Sequence, residues 1–262
     1  MMSHRPLIVH LNANSLRNKA EEVRELISGA AVASIQDHRM ASLRELQLLL
    51  PDFHVYGYAH DDSGPGSVLL IATNVRHRDV WSCTTGRHRC TAAIVELTAL
   101  GGVEVSVASL YAPPNPPAPP LDPDLLDQCM GKAPRAIIIG DLNARHPTLG
   151  CKGTNSNGTA LRDYLEVRQH VLLNDPSQPT FFHTAGATPD TIDWAVASPI
   201  FATHRTICHT GPDVGSDHLP LLLSYPREHT NRRSQPPIPR WRLRDANWEE
   251  FERELTLSLI HI

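Results

Sequence analysis

The run Gly215-Ser216-Asp217-His218-Leu219-Pro220 sets a carboxylate beside an imidazole on a turn that leads into the apolar stretch Leu221-Leu222-Leu223. Three more apolar runs lie next to an Asp: Ala33-Ser34-Ile35-Gln36-Asp37, Ile137-Ile138-Ile139-Gly140-Asp141-Leu142-Asn143 and Thr191-Ile192-Asp193-Trp194-Ala195-Val196. A His needs a carboxylate partner to fix its tautomer and keep it useful in proton transfer. Asp and Asn supply hard oxygen ligands of the kind Mg²⁺ takes. Hydrolysis of a phosphodiester needs an attacking water, charge relief on the phosphoryl oxygens and help for the leaving oxygen. Short buried strands that end in such residues bring the required groups to one edge of a sheet.

The elements that must position them are set by periodicity. Strands are expected over residues 7–11, 31–35, 55–58, 68–72, 93–97, 103–110, 136–139, 171–173, 180–182, 192–197 and 219–223. Helices are expected over 19–28, 42–50, 124–130 and 158–169, and Gly101-Gly102 reads as a hairpin turn. Residues 112–123 contain seven Pro and read as a stiff surface loop. Strands alternate with helices early and pair as hairpins in the middle, which implies two packed sheets with helices outside them. The compact domain is expected to span residues 1–225. Residues 226–262 read as a Pro/Arg-rich linker and a truncated helical segment, with Trp248, Phe251, Leu255 and Leu259 on one helical face.

The chain has 262 residues, 41% hydrophobic and 20% charged, enough for one large core. A net charge of -4 excludes a simple basic nucleic-acid coat but not a nucleic-acid substrate, because a bound cation reverses the field of an acidic site. Five Cys without a C-x-x-C give no zinc framework and no disulfide scaffold. A reducing, intracellular setting is the simplest reading. No apolar segment is long enough to span a bilayer, so no membrane partner is expected.

The ordered segments resemble the endonuclease/exonuclease/phosphatase superfamily, and most of all the endonuclease domain of non-LTR (LINE-type) retrotransposons. They are Leu11-Asn12-Ala13-Asn14-Ser15-Leu16, Ile35-Gln36-Asp37, Leu110-Tyr111-Ala112-Pro113-Pro114, Gly140-Asp141-Leu142-Asn143-Ala144, Asp190-Thr191-Ile192-Asp193 and Ser216-Asp217-His218. The tail with Trp241 and Trp248-x-x-Phe251 resembles the linker that precedes a reverse transcriptase in a longer polyprotein. The resemblance implies a DNase I-like four-layer α/β/β/α sandwich of two packed mixed sheets with outer helices. It implies a Mg²⁺-dependent DNA endonuclease that nicks one strand and leaves a 3′-hydroxyl primer for reverse transcription, in the nucleus; the shorter acid at Asp37, in place of the family's usual Glu, would reduce activity or shift metal preference toward a looser ion such as Mn²⁺.

It also implies roles. Asn12, Asp37 and Asp217 belong to the metal site, and Tyr111 and Asn143 contact the scissile phosphate. Asp141 aligns or deprotonates the water, or protonates the leaving group. Asp193 orients His218, which acts as base or as an electrophile on the phosphate. Two positions depart from the family. Asp37 stands where Glu is usual and is one methylene shorter. Asp190 stands where Ser or Thr is common, and would either raise the His218 pKa or face solvent. Arg39, Arg145 and His146 are candidates for gripping phosphate, or plain solvated residues. Each motif also has a bland reading, as a turn, a strand cap or a core tyrosine. A catalytically impaired retroelement remnant and another phosphoesterase of the superfamily remain as alternatives.

Overall fold

The computed structural model describes residues 6–62, 64–114, 116–131, 133–182, 189–202 and 206–225. The expected linker and helical segment at 226–262 lie outside the described residues.

One sheet holds, in spatial order, β11 (Ile207–Thr210), β12 (Leu221–Ser224), β1 (Ile8–Asn12), β2 (Val32–Gln36), β4 (Ser67–Ala72) and β3 (Phe53–Tyr58). The other holds β5 (His77–Thr85), β6 (His88–Leu97), β7 (Val103–Tyr111), β8 (Ala136–Asp141), β10 (Asp193–Ala197) and β9 (Val171–Leu172). Each sheet has one parallel pair, β1 with β2 and β7 with β8, and antiparallel neighbours on both sides. Helix α1 (Ala20–Ile27) makes the first parallel crossover and α3 (Pro123–Met130) the second. This repeated connectivity leaves no trace as a sequence repeat, because the two halves share topology and not residues.

Three apolar clusters define four layers. Val23 and Ile27 of α1 and Leu46 of α2 (Leu43–Leu49) pack on Val9, Leu11, Ala33 and Val68. Leu125, Leu126 and Cys129 of α3 and Leu161 and Tyr164 of α4 (Ser156–Arg168) pack on Leu110, Ile138, Trp194 and Val196. Between the sheets lie Ile8, Val32, Leu69, Leu221 and Leu223 from one, and Val105, Val107, Ile137, Ile139, Ala195 and Ala197 from the other. Strand side chains alternate between faces, so these inner positions determine which later residues also point inward. Continuing the count by twos leads from Ile8 to His10 and Asn12, from Val32 to Ser34 and Gln36, from Val107 to Ser109 and Tyr111, and from Ile139 to Asp141. The same count runs backwards from Ala195 to Asp193. The inter-sheet layer is therefore apolar along most of its length and polar at one end.

The expected four-layer architecture is present, and the helices fall within a residue or two of their expected ends. Two edge strands, β5 and β11, have no counterpart among the expected strands. Their residues are partly exposed and lack clean alternation, and β5 has a register shift between Arg78 and Trp81. Residues 180–182 form no strand. Phe181 makes only isolated bridges to Asp190 and His218, because Thr180 and Phe181 spend their backbone groups on the loops that carry those residues.

Candidate active site

The buried floor of the site is Asp193, at the start of β10 and without exposed surface. One carboxylate oxygen lies 2.8 Å from His218 Nδ1 and the other 2.9 Å from His10 Nε2. His10 Nδ1 meets Ser34 Oγ at 3.0 Å, which in turn meets Ser109 Oγ at 2.7 Å, so the first strand of one sheet holds the acid of the other. The Asp193 amide donates to Thr180 Oγ1, and Asn174 Nδ2 donates to the Asp193 carbonyl. Phe181 lies against the His218 ring at 4.8 Å between centroids.

Asp141 ends β8 opposite Asp193 in the antiparallel register. Its Oδ2 accepts from Asn12 Nδ2 at 2.9 Å and its Oδ1 accepts from the Asn143 amide at 3.0 Å. Its own amide donates to Gln36 Oε1 at 2.9 Å. Gly140 makes this approach possible. A Cβ there would sit 1.9 Å from the Leu110 carbonyl oxygen and 2.7 Å from Gln36 Nε2. Asn143 adopts a left-handed conformation (φ 45°), which Asn tolerates, and donates to the Ala112 carbonyl oxygen. Asn155 caps α4 through the Gly158 amide and also donates to the Asn143 carbonyl oxygen at 2.6 Å, so the helix start braces the motif.

The electrostatics are set by burial and contact. Burial, then the charge of Asp193, pushes the Asp141 carboxyl up to about 7. Burial works against the His218 imidazolium, but the charge and hydrogen bond of Asp193 outweigh it and raise the group to about 9. Burial also opposes ionisation of Asp193, and the two imidazoles overcome it, holding this acid below the usual carboxylate range. At neutral pH the floor therefore contains an ionised Asp193, a protonated His218 and a carboxyl at Asp141 poised between states. The Tyr111 phenol is buried and pushed above its ordinary value, by burial first and then by Asp141 and Asp37.

The rim is built differently. Asn14, Ser15, Asp37 and Arg39 all have positive φ, at 42°, 79°, 47° and 54°. The Ser15 amide donates to the Asp37 carbonyl oxygen, which ties the loop after β1 to the loop after β2. Arg39 donates from Nε and Nη2 to the two Asp37 oxygens at 3.2 and 3.1 Å, and from Nη2 to Asn14 Oδ1 at 2.7 Å. Asn14 Nδ2 donates to Asp217 Oδ1, and the Asn14 amide donates to Asn12 Oδ1. Ser216 Oγ donates to the Asn12 carbonyl oxygen. Asn12, Asp37 and Asp217 are thus joined in one network through Asn14 and Arg39.

Asp141, Asp193 and His218 each offer a ligand atom within 4.8 Å of the others. That cluster suits proton handling better than metal binding, because two imidazoles already occupy both oxygens of Asp193. Asn12, Asp37 and Asp217 carry the oxygen atoms a hard divalent cation takes, but of these only Asn12 touches Asp141, while Asp37 and Asp217 are tied to Asn14 and Arg39. Two buried carboxylates, one pushed up by the other, are the electrostatic condition such a cation relieves.

Asp190 is paired elsewhere instead of facing His218 or solvent alone. Its Oδ2 accepts from Arg145 Nε at 2.7 Å and its Oδ1 accepts from the Thr191 amide. Arg145 is therefore committed to Asp190. His146 caps a short turn through the Thr148 amide. His10, Ser109 and Thr180 join the site without belonging to any motif that pointed to it, and Ser34 and Gln36 join it from the run before Asp37, where neither was expected to have a role. The signal available for them is a His, a Ser and a Gln at inner-face positions of otherwise apolar strands.

Residues 105–222 match the family described as endonuclease-reverse transcriptase. A probable RNA-directed DNA polymerase from transposon BS of Drosophila melanogaster is 28% identical over 262 residues, covering 96% of this chain and 27% of its own length. The corresponding protein from transposon X-element of the same organism is 28% identical over 207 residues, 77% of this chain and 22% of that one. The chain thus spans about a quarter of the curated relatives it matches. The endonuclease domain of TRAS1, a telomere-specific non-LTR retrotransposon, superposes with a TM-score of 0.63 at 16% identity, covering 83% of this chain and 96% of that one. The chain resembles the endonuclease domain of a non-LTR retrotransposon. An AP endonuclease from Archaeoglobus fulgidus shares the fold, with a TM-score of 0.63 at 16% identity over 84% of this chain and 98% of its own. The fold is that of the endonuclease/exonuclease/phosphatase proteins. The segment that matches the retroelement family runs from β7 into β12. It therefore includes Tyr111, Asp141, Asn143, Asp193, Asp217 and His218, while Asn12 and Asp37 precede it. No helix among the described residues is long and apolar enough to cross a membrane.

Proposed function

We propose that this chain is a divalent-metal-dependent DNA endonuclease that nicks one strand and leaves a 3′-hydroxyl primer for a reverse transcriptase carried on the same parent polyprotein, acting in the nucleus. The observation that carries it is the buried Asp193–His218 pair beside Asp141, at the polar end of the inter-sheet layer of a retroelement-type fold. Asn12, Asp37 and Asp217 would hold Mg²⁺ or Mn²⁺, with Asp141 next to Asn12. When bound, the cation neutralises charge on the phosphoryl group and activates water or the leaving oxygen.

The chain's own residues supply the rest. Protonated His218 presents Nε2 as a charged donor to a phosphoryl oxygen, and Asp193 keeps it protonated and oriented. This favours the electrophile role for His218 over that of base. Asp141, held by Asn12 and the Asn143 amide, stands where it can take or return a proton. Tyr111 stays a neutral phenol and donates to the phosphate. Asn143 uses one Nδ2–H on the Ala112 carbonyl oxygen, which leaves its second Nδ2–H to donate to a phosphoryl oxygen.

Nicking of supercoiled plasmid in Mg²⁺ or Mn²⁺ tests this reading, with EDTA and His218→Ala as controls. Metal-dependent nicking that the substitution abolishes is the expected result. Intact plasmid in both metals, from folded protein, overturns it. A second reading has one observation in its favour. Asp37 is short and held by Arg39, as in a copy whose metal site is impaired.

A further inference from the structure

Cys83 on β5 and Cys90 on β6 are direct partners across the hairpin. Cross-strand partners have Cα atoms roughly 4.5–5.5 Å apart, within the roughly 4.4–6.8 Å that a disulfide spans. On the far side of Cys90, the Cys129 sulfur of α3 lies 3.1 Å away. A disulfide bond is about 2.05 Å long, so closure here needs movement of about 1 Å. Cys90 thus neighbours both a partly exposed thiol, Cys83, and a buried one, Cys129. The other two cysteines, Cys151 and Cys208, are buried and touch no sulfur among the described residues.

We propose that Cys83, Cys90 and Cys129 form a thiol relay that a peroxide oxidises at Cys83 and that ends as a buried Cys90–Cys129 disulfide. In the first step the Cys83 thiolate sulfur attacks one peroxide oxygen. The S–O bond forms, the O–O bond breaks, and the leaving hydroxide takes a proton, leaving Cys83 as a sulfenic acid. In the second step Cys90 gives up its proton and attacks the Cys83 sulfur. The S–S bond forms, and the S–O bond breaks with loss of water. The sum is two thiols and hydrogen peroxide giving one disulfide and two waters. In the third step Cys129 attacks the Cys90 sulfur, its proton passes to Cys83, and Cys83 is again a free thiol.

The hydrogen bonds run the right way for this. The Cys90 thiol donates to Cys83 and lowers it to about 7, against burial, so the exposed end is the nucleophilic one. Contact with Cys129 first, and then with Cys83, holds Cys90 well above its ordinary value until the proton can leave. Cys208 shows the contrast, since burial alone pushes it to about 12 and leaves it inert. The relay sits on the helix side of the sheet. Cys90 pairs with Leu110, the residue before Tyr111, so the final bond would tie α3 to the strand end beside the site.

The test uses the full reduced chain and a tenfold excess of hydrogen peroxide, followed by alkylation under denaturing conditions and peptide mapping without reductant. The expected result is a fall from five free thiols to three, with a Cys83–Cys90 link early and a Cys90–Cys129 link late, both reversed by a dithiol. Cys83→Ser should slow the loss at least tenfold, and Cys129→Ser should stop the chain at the Cys83–Cys90 link. Five thiols still alkylated after treatment, first loss at Cys151 or Cys208, or loss at the parental rate in Cys83→Ser would overturn the proposal. Cys83 is partly exposed, so its Ser variant remains informative if the buried Cys129 variant fails to fold.

Discussion

The floor of the site and its rim meet a few ångströms apart but are made in different ways. Asp141 and Asp193 stand on neighbouring central strands, have regular strand backbone and are almost wholly buried. Asp37 and Asn14 stand on loops after strand ends, with left-handed backbone, and are tied mainly to one another through Arg39. A strand fixes a side chain by register, and shifting it would move every inner-face residue to the other face. A strained loop holds its side chain only while its local contacts last. The floor should therefore be preformed and intolerant of change. The rim should adjust when a cation arrives, and its substitutions should be milder.

The largest effect should come from Asp193→Asn, which removes the charge that both imidazoles share. Nicking should fall about 10²- to 10⁴-fold, measured in single turnover with saturating metal. A loss under tenfold would make the floor no stiffer than the rim.

The dependence of stability on pH sharpens the same point. His218 has a folded pKa of about 9, above its ordinary 6.5. Its stabilisation is complete below about pH 6.5 and is lost as pH rises through 9, by about 3 kcal/mol at most. Asp141, raised to about 7, shifts stability in the same direction between its ordinary 3.8 and 7. Urea midpoints of the metal-free chain should fall from pH 6 to pH 9, and His218→Gln should flatten the slope. An equal slope in the variant would remove His218 from this account. His10→Leu leaves one oxygen of buried Asp193 without its donor and should cost about 1–3 kcal/mol, read by urea unfolding, with a smaller loss of nicking than Asp193→Asn.

At the rim the effects should be smaller. Asp37→Glu adds the methylene that lets the carboxylate reach inward, and should raise Mg²⁺-supported nicking up to about tenfold, worth about 1.4 kcal/mol. No gain would mean that the loop already delivers the shorter acid. Arg39→Ala frees Asp37 from a competing cation and should tighten Mn²⁺ binding a few-fold in a direct titration. Folding stability should change by less than about 1 kcal/mol, because this ion pair is partly exposed.

Legibility in the sequence divides along the same line. Asp141 and Asp193 are visible because each interrupts an apolar run, and period-two alternation puts them on the inner face. The Asp217–His218 pair is visible as adjacent residues before a strand. His10 is not, since its partner lies 183 residues away and nothing local marks the contact. Gln36 likewise works through the Asp141 amide of the opposite sheet, 105 residues on. Arg39 and Arg145 read as phosphate grips or plain solvated residues, and both are instead held by acids of the chain itself. The edge strands β5 and β11 escape detection because one exposed face and an irregular register erase the alternation that reveals a buried strand.

The pairing of β1 with β12 also sets a clock. Ile8–His10 must wait for Leu221–Leu223 before the first strand gains its antiparallel neighbour. At about 5–20 residues per second, the ribosome delivers the second partner roughly ten to forty seconds after the first. Until then Ser216, Asp217 and His218 are missing, and Asn12 has nothing on that side to brace it. On the proposed function, a nascent chain cannot cut nucleic acid while most of this domain is still being made. In a longer polyprotein, competence to cleave would appear only after the last strand of the sandwich has cleared the exit tunnel.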